Sequence, residues 1–215
     1  MSILIKNDNN ITILDDFFPQ AKLIYSGTMT TTATTLAAQT TFTYPAPVSN
    51  PIIFIRQQNL NQKFSLIVSK PDSFVYSVNS AGSIDYRIYA ANKTIFSNNQ
   101  YGLRVFDAQS NPIFDSGFAP PDIRQRSVIA TTTTLTANTN VPFTALDGGR
   151  PFVIAHAFAP FSIAQNSGQT SLYNLLCCSW TSATNLLATV DATQQLPVVI
   201  NASLGMRPRL AYFSR

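Results

Sequence analysis

The sequence contains no glutamate. Every acidic side chain is one of ten aspartates, and lysine occurs only five times. Charged residues make up 11% of the 215-residue chain, less than half the usual share. Glutamate and lysine are the residues from which solvent-facing helices are built, so their scarcity excludes a helix-rich surface. Tryptophan and histidine occur once each and cysteine twice, which leaves little material for a metal centre or a disulfide framework. No apolar run approaches the length of about 18 to 20 residues that a membrane span requires. The start, "MSILIKNDNN", turns polar after five residues and lacks a signal-peptide core. The expectation is a chain made in a cytosol, with no membrane span, in which the sequons at Asn10, Asn92 and Asn201 are chance matches.

What remains is rich in strand and turn formers. Threonine, valine and isoleucine abound beside fifteen phenylalanines and eight tyrosines, with asparagine, serine and thirteen prolines for turns. At 45% apolar the chain is globular, and its length allows one large domain or two small ones. Short apolar segments recur at sandwich-like spacing: 50–57, 63–70, 73–78 and 84–90, then 150–158, 172–180, 196–202 and 209–215. Turn clusters at Lys70–Asp72, Ser80–Gly82 and Asp147–Gly149 separate them. The expected fold is all-β, built of antiparallel β-sandwich units. Brief helices are allowed only around Ser182–Val190 or Asp15–Ala21.

The chain also echoes itself at a spacing of about one hundred residues. "ILIKNDNNITILDDFF" at 3–18 lies over "LRVFDAQSNPIFDSGF" at 103–118, so that Ile5 meets Val105, Ile13 meets Ile113 and Asp15 meets Asp115. One inserted residue later Ser26 meets Ser127, Thr30–Thr32 meet Thr131–Thr133, Phe42–Thr43 meet Phe143–Thr144 and Ile53 meets Ile154. Two related modules, 1–100 and 101–215, are the expectation. A single sandwich with the two hairpins in equivalent places is the alternative.

No chemistry-bearing constellation stands out. His156 lies in the apolar stretch "FVIAHAFA" without ligand partners or a nucleophile elbow, and reads as a packed or interface histidine. Cys177 and Cys178 are adjacent; on a strand they point to opposite faces and read as small buried hydrophobes. Asp15–Asp16 is the only adjacent carboxylate pair, while Asp8, Asp72, Asp107 and Asp147 sit in turn contexts. Asp115 reads as a strand end bonding backbone amides. The threonine runs admit three readings: exposed strand faces, a flat ligand-binding array, or extended linkers. The net charge of +4 comes from few acids rather than from a basic stripe, since Arg124 and Arg126 or Arg207, Arg209 and Arg215 form no run. Nucleic acid is therefore not an expected partner. No catalytic, cofactor-binding or metal residue is assigned, and the chain is not read as an enzyme.

The stretch "YGLRVFDAQSNPIFDS" carries a resemblance. Gly102, Leu103, Val105, Phe106, Asp107, Phe114, Asp115 and Ser116 match a hairpin signature, G-L-x-V-[FY]-[DN] followed by F-D-S, of small bacteriophage tail proteins. Ser110 stands where that pattern often has glycine, and Asn111 beside it is the alternative for the left-handed turn position. The opening "ILIKNDNNITILDD" with "IYSGTMTT" is similar to such proteins as well. The resemblance implies a structural virion protein at the tail tip or baseplate. It would be present in symmetric multiple copies and assemble with hub or fibre proteins. The alternative is a receptor-binding adhesin for a host polysaccharide or pilus. An adhesin needs an exposed aromatic in a distal loop: Tyr44 in "FTYPAPVSNP" is the candidate, whereas Trp180 in "CCSW" reads as buried.

Overall fold

A computed structural model describes residues 4–6, 12–15, 20–91, 96–98, 100–118, 121, 123–130, 138–142, 150–158, 161–162, 173–194 and 209–214. The N-terminal half forms β1 (Leu4–Lys6), β2 (Thr12–Asp15), β3 (Ala21–Thr31), β4 (Gln39–Thr43), β5 (Ile52–Gln57), β6 (Phe64–Ser69), β7 (Ser73–Val78) and β8 (Gly82–Ala91). The C-terminal half forms β9 (Arg104–Phe106), β10 (Pro112–Asp115), β11 (Ile123–Ala130), β12 (Asn138–Pro142), β13 (Phe152–Ile154), β14 (Phe161–Ser162), β15 (Tyr173–Ser182), β16 (Asn185–Gln194) and β17 (Arg209–Ser214). Among the described residues every strand pair is antiparallel and there is no α-helix. The all-β expectation holds.

Two large sheets face each other. One runs β11-β17-β13-β5-β8-β3; the other runs β12-β16-β15-β6-β7-β4, with β14 added on β15. Both mix strands from the two halves. The seam in the first sheet is β5 against β13, where Ile55 pairs with Val153 and Phe54 with Ile154. The seam in the second is β6 against β15 at Phe64 and Cys178. Outward from each seam the order is the same on both sides: β5-β8-β3 mirrors β13-β17-β11, and β6-β7-β4 mirrors β15-β16-β12.

The core lies between the sheets. Alternation along each strand sends Ile53, Ile55, Ile84 and Ile88 inward from the first sheet and Phe64, Leu66, Phe74, Tyr76, Leu176 and Trp180 inward from the second. Rings fill one end: Phe42 lies 4.6 Å from Tyr86 and 5.2 Å from Phe74, centroid to centroid. Cys178 belongs to this inter-sheet core, and Cys177, one residue away, packs with Leu36, Ile67 and Leu175 in a second cluster. Neither cysteine is in a disulfide and both are fully buried, on opposite faces as strand geometry requires. Gln57 is also buried at the end of β5 and donates to the Cys178 carbonyl at 3.0 Å, a polar tie between the sheets.

Three expectations change. Ser182–Val190 is no helix; it is the turn and return strand of the β15–β16 hairpin. The other helix candidate, Asp15–Ala21, has strand at both ends, and 16–19 lie outside the described residues. The 150–158 segment is strand only over β13, because Ala155–Ala157 wind into a 3-10 turn closed by the Phe158 amide on the Ala155 carbonyl. That turn sends the Phe158 carbonyl to the amide of Leu66 at 2.8 Å. It leaves His156 exposed rather than packed. The segment 196–202, the turn Asp147–Gly149, Thr131–Thr133, Phe143–Thr144 and Asp8 lie outside the described residues. Thr28, Thr30, Thr41 and Thr43 do sit on exposed strand faces.

Candidate functional site

The described residues leave few large apolar side chains in water, and four of the six gather around one hairpin: Phe96, Tyr101, Leu103 and Phe106. Tyr101 is 90% exposed and Leu103 61%. The hairpin is β9–β10, the stretch whose pattern already marked it as two strands around a loop.

Its loop is built by Asp107. One carboxylate oxygen accepts from the Gln109 amide at 3.0 Å and the Asn111 amide at 2.8 Å, and the Asn111 side-chain amide donates to both oxygens. The Ser110 amide closes the turn on the Asp107 carbonyl at 3.0 Å. With Asn111 held in this way, Ser110 itself takes the left-handed conformation, φ +63°. The sequence alternative of Asn111 in that role does not occur. At the other end Gly102 has φ +143°, and the Leu103 amide donates to the Ser116 hydroxyl at 2.8 Å.

Asp115 locks the hairpin shut. Its carboxylate is 2% exposed and accepts from four donors: the Ser97 amide at 3.0 Å, the Ser97 hydroxyl at 2.9 Å, the Gly117 amide at 2.9 Å and Arg104 Nε at 3.1 Å. Burial pushes this carboxyl up, but the amides of Ser97 and Gly117, the Ser97 hydroxyl and the Arg104 charge outweigh it and hold the group at about 2. Arg104 also donates to the Ser97 carbonyl at 2.7 Å, and its guanidinium lies 5.6 Å from the Phe96 ring centre. Phe96 in turn lies 6.2 Å from Phe106.

The closed hairpin is tied to the body through Gln20. The Gln20 amide donates to the Ile113 carbonyl at 2.9 Å, and its side-chain oxygen accepts from the Asp115 amide at 3.2 Å. Ile113 is fully buried at this junction. Lys22 is buried too, its ammonium 5.2 Å from the Phe118 ring. Burial lowers its pKa, opposed by the nearby Asp115 charge and aided by Arg104. Beside the hairpin lies a cavity of about 120 Å³ lined by Gln100, Tyr101, Gly102, Arg104 and Asp115.

No protein-family model, curated protein or solved structure matches the chain.

The other sequence candidates fall elsewhere. Tyr44 is a core residue, 5% exposed: its amide donates to the Asp72 carbonyl at 2.8 Å and its ring packs against Tyr25, Phe42 and Phe74. The exposed-loop expectation for Tyr44 is corrected. Trp180 is buried, as expected. Asp72 sits in the β6–β7 turn and accepts from the Ser73 hydroxyl. Asp85 was not singled out. It is held on the outer face of the first sheet by Thr28, Arg56 and Gln58, and this network is structural. No group of metal-ligating residues occurs among the described residues, and no helix there is long and apolar enough to cross a membrane. The residues missed from sequence are Phe96, Ser97 and Tyr101. Their signal was two aromatics set in the polar stretch "FSNNQY", where no core strand could use them.

Proposed function

We propose that the chain is a structural virion protein of a tailed bacteriophage, a tail-tip or baseplate component that assembles with hub or fibre proteins. The observation that carries this reading is the β9–β10 hairpin: a rigid, internally locked projection that offers Tyr101, Leu103, Phe106 and Phe96 to solvent. Apolar surface concentrated on one braced element is the mark of a protein contact. The same hairpin bears the tail-protein signature, with Leu103 and Phe106 among the matching residues. The body behind it is a β-sandwich in which no group of metal-ligating residues occurs among the described residues. Residues 1–100 and 101–215 are read in this proposal as related modules, which the mirrored strand order supports. Such a body offers two like faces to its neighbours and can bridge a symmetry mismatch.

The receptor-binding reading keeps one observation of its own. Tyr101, almost fully exposed beside a small polar-walled cavity, takes the place that Tyr44 was expected to hold. Immunogold labelling of intact virions separates the two. Label at the tail tip, with no retention of the purified protein on host cells, supports the assembly role. Saturable cell binding that is lost in Tyr101→Ala moves the adhesin reading forward. Virions that carry no label at all overturn the assembly proposal.

A further inference from the structure

The cavity beside the hairpin has a wall that the chain has already fixed and a rim that it has not. Asp115 and Arg104 form the wall as an ion pair, with Nε 3.1 Å from the carboxylate. The Asp115 oxygens accept from the Ser97 amide and hydroxyl, the Gly117 amide and Arg104, which fills their capacity. The Arg104 guanidinium is held a second time by the Ser97 carbonyl at 2.7 Å. This wall is therefore rigid and balanced in charge. The carboxyl is held at about 2, so the balance persists at every pH above that. Buried Lys22 feels both charges but does not line the cavity. The rim differs. Gln100 is exposed and Tyr101 is 90% exposed. Gly102, at φ +143°, adds bare backbone. Among the described residues no hydrogen bond within the chain engages the side chains of Gln100 and Tyr101 or the backbone of Gly102.

We propose that this cavity binds one edge of a neutral saccharide, with the sugar ring laid against Tyr101. The volume of about 120 Å³ corresponds to about four water molecules at about 30 Å³ each. That is room for a vicinal diol with its two carbons, and too little for a whole ring or an aromatic side chain. A pyranose offers such an edge, and its apolar C–H face suits an exposed aromatic ring. A sugar hydroxyl both donates and accepts. The rim matches it with the Gln100 amide, the Tyr101 hydroxyl and the Gly102 backbone. Charge selects among ligands. A carboxylate or phosphate would meet the Asp115 carboxylate, and an ammonium would meet the Arg104 guanidinium, so each would carry a like-charge contact into the cavity. A neutral diol carries none. Leu103 and Phe106 do not line the cavity and keep their exposed surface for a protein contact. The site thus goes beyond the assembly role without competing with it. It rests on the receptor-binding reading only for the source of the sugar, which there is the host surface.

The test is ligand-observed NMR on the purified full chain. The probes are the methyl pyranosides of glucose, galactose and mannose, with glucuronic acid and glucosamine as charged counterparts. A ligand of about a dozen non-hydrogen atoms is expected to bind with a Kd on the order of 1 mM. At least one neutral pyranoside should bind in that range, and more tightly than either charged sugar. Tyr101→Ala is expected to weaken binding about three- to ten-fold, the share of one ring face. Gln100→Ala should weaken it by a similar factor, the share of a hydrogen bond. Both side chains are exposed, so native Trp180 fluorescence should persist in each variant. Leu103→Ala, on the same hairpin but off the cavity, should bind like the wild type. No binding of any neutral pyranoside up to about 50 mM, a preference for a charged sugar, or unchanged affinity in Tyr101→Ala or Gln100→Ala would each overturn the proposal. A chain that binds no sugar leaves the assembly role intact, and virions without label leave a measured sugar affinity intact.

Discussion

Replacing Asp115 by asparagine removes one charge and almost no volume, and the structure says how much should be lost. The folded carboxyl is held at about 2, against an ordinary value of 3.8. Each unit of difference is worth about 1.4 kcal/mol, so the charged form contributes at most about 2.5 kcal/mol to the closed hairpin. Arg104 is 35% exposed, and solvent screens its share, which makes that figure a ceiling. A depressed pKa gives stability that is fully present above the unfolded value and is lost as pH falls through the folded one. The window is therefore from about pH 4 down to about pH 2. The loss is local, because the donors to Asp115 belong to residues 97–117 and not to the sandwich. Amide hydrogen exchange reads it directly. In Asp115→Asn the amides of Ser97 and Gly117 are expected to exchange up to roughly sixty-fold faster, the factor that corresponds to about 2.5 kcal/mol. Amides of Ile53 and Ile55 in the core should not change. Equal exchange at Ser97 and Gly117 in the two proteins would show that the carboxylate does not lock the hairpin, and the argument from its buried donors would fail.

Three further expectations concern other parts of the molecule. Gly102→Ala places a Cβ 2.5 Å from the Ser116 hydroxyl at φ +143°, so it should weaken the hairpin by about 1 to 3 kcal/mol and speed proteolysis there. Trp180 is fully buried between the sheets; its emission should be blue-shifted and protected from acrylamide, and Trp180→Ala should cost about 3 to 5 kcal/mol in a denaturant titration. Cys177 and Cys178 are both buried, and burial drives the Cys178 thiol far above the usual range. A thiol reagent should count no reactive cysteines in the native chain at neutral pH and two after unfolding; fast native labelling would contradict the packing.

Strand existence was legible because apolar runs such as 73–78 and 84–90 are bounded by turn residues and cannot face water. The return strand of the second hairpin was not. "SATNLLATV" is rich in alanine and leucine, good helix formers, and only its pairing with β15 overrides that local preference. Tyr44 misled for a related reason. A proline-rich loop reads as surface, yet here it folds back over the open end of the core and lays the ring among three others. His156, read as packed or at an interface, is rotated out of its apolar run by one 3-10 turn and stands exposed, which removes only the packed reading. The hairpin was visible as two strands around a loop, but its importance was not. Arg104 and Asp115 are eleven residues apart, and Ser97 lies outside the signature, so their meeting depends on how the chain closes. The mirrored strand order was foreshadowed by the hundred-residue echo, although the way the two halves share both sheets had no signature in the sequence.

That sharing sets a schedule on synthesis. β5 and β6 leave the ribosome long before their seam partners β13 and β15, which lie about a hundred residues downstream. At translation rates of about 5 to 20 residues per second, the inner strands of the first half wait for roughly 5 to 20 seconds with one edge open. During that interval Ile53, Phe54, Ile55 and Phe64, all buried in the finished fold, stand at unpaired edges in a crowded cell. Overproduction should therefore be limited by the nascent chain rather than by the finished protein. Slower translation at low temperature, or added holdase chaperones, should raise the soluble yield more than any substitution on the mature surface.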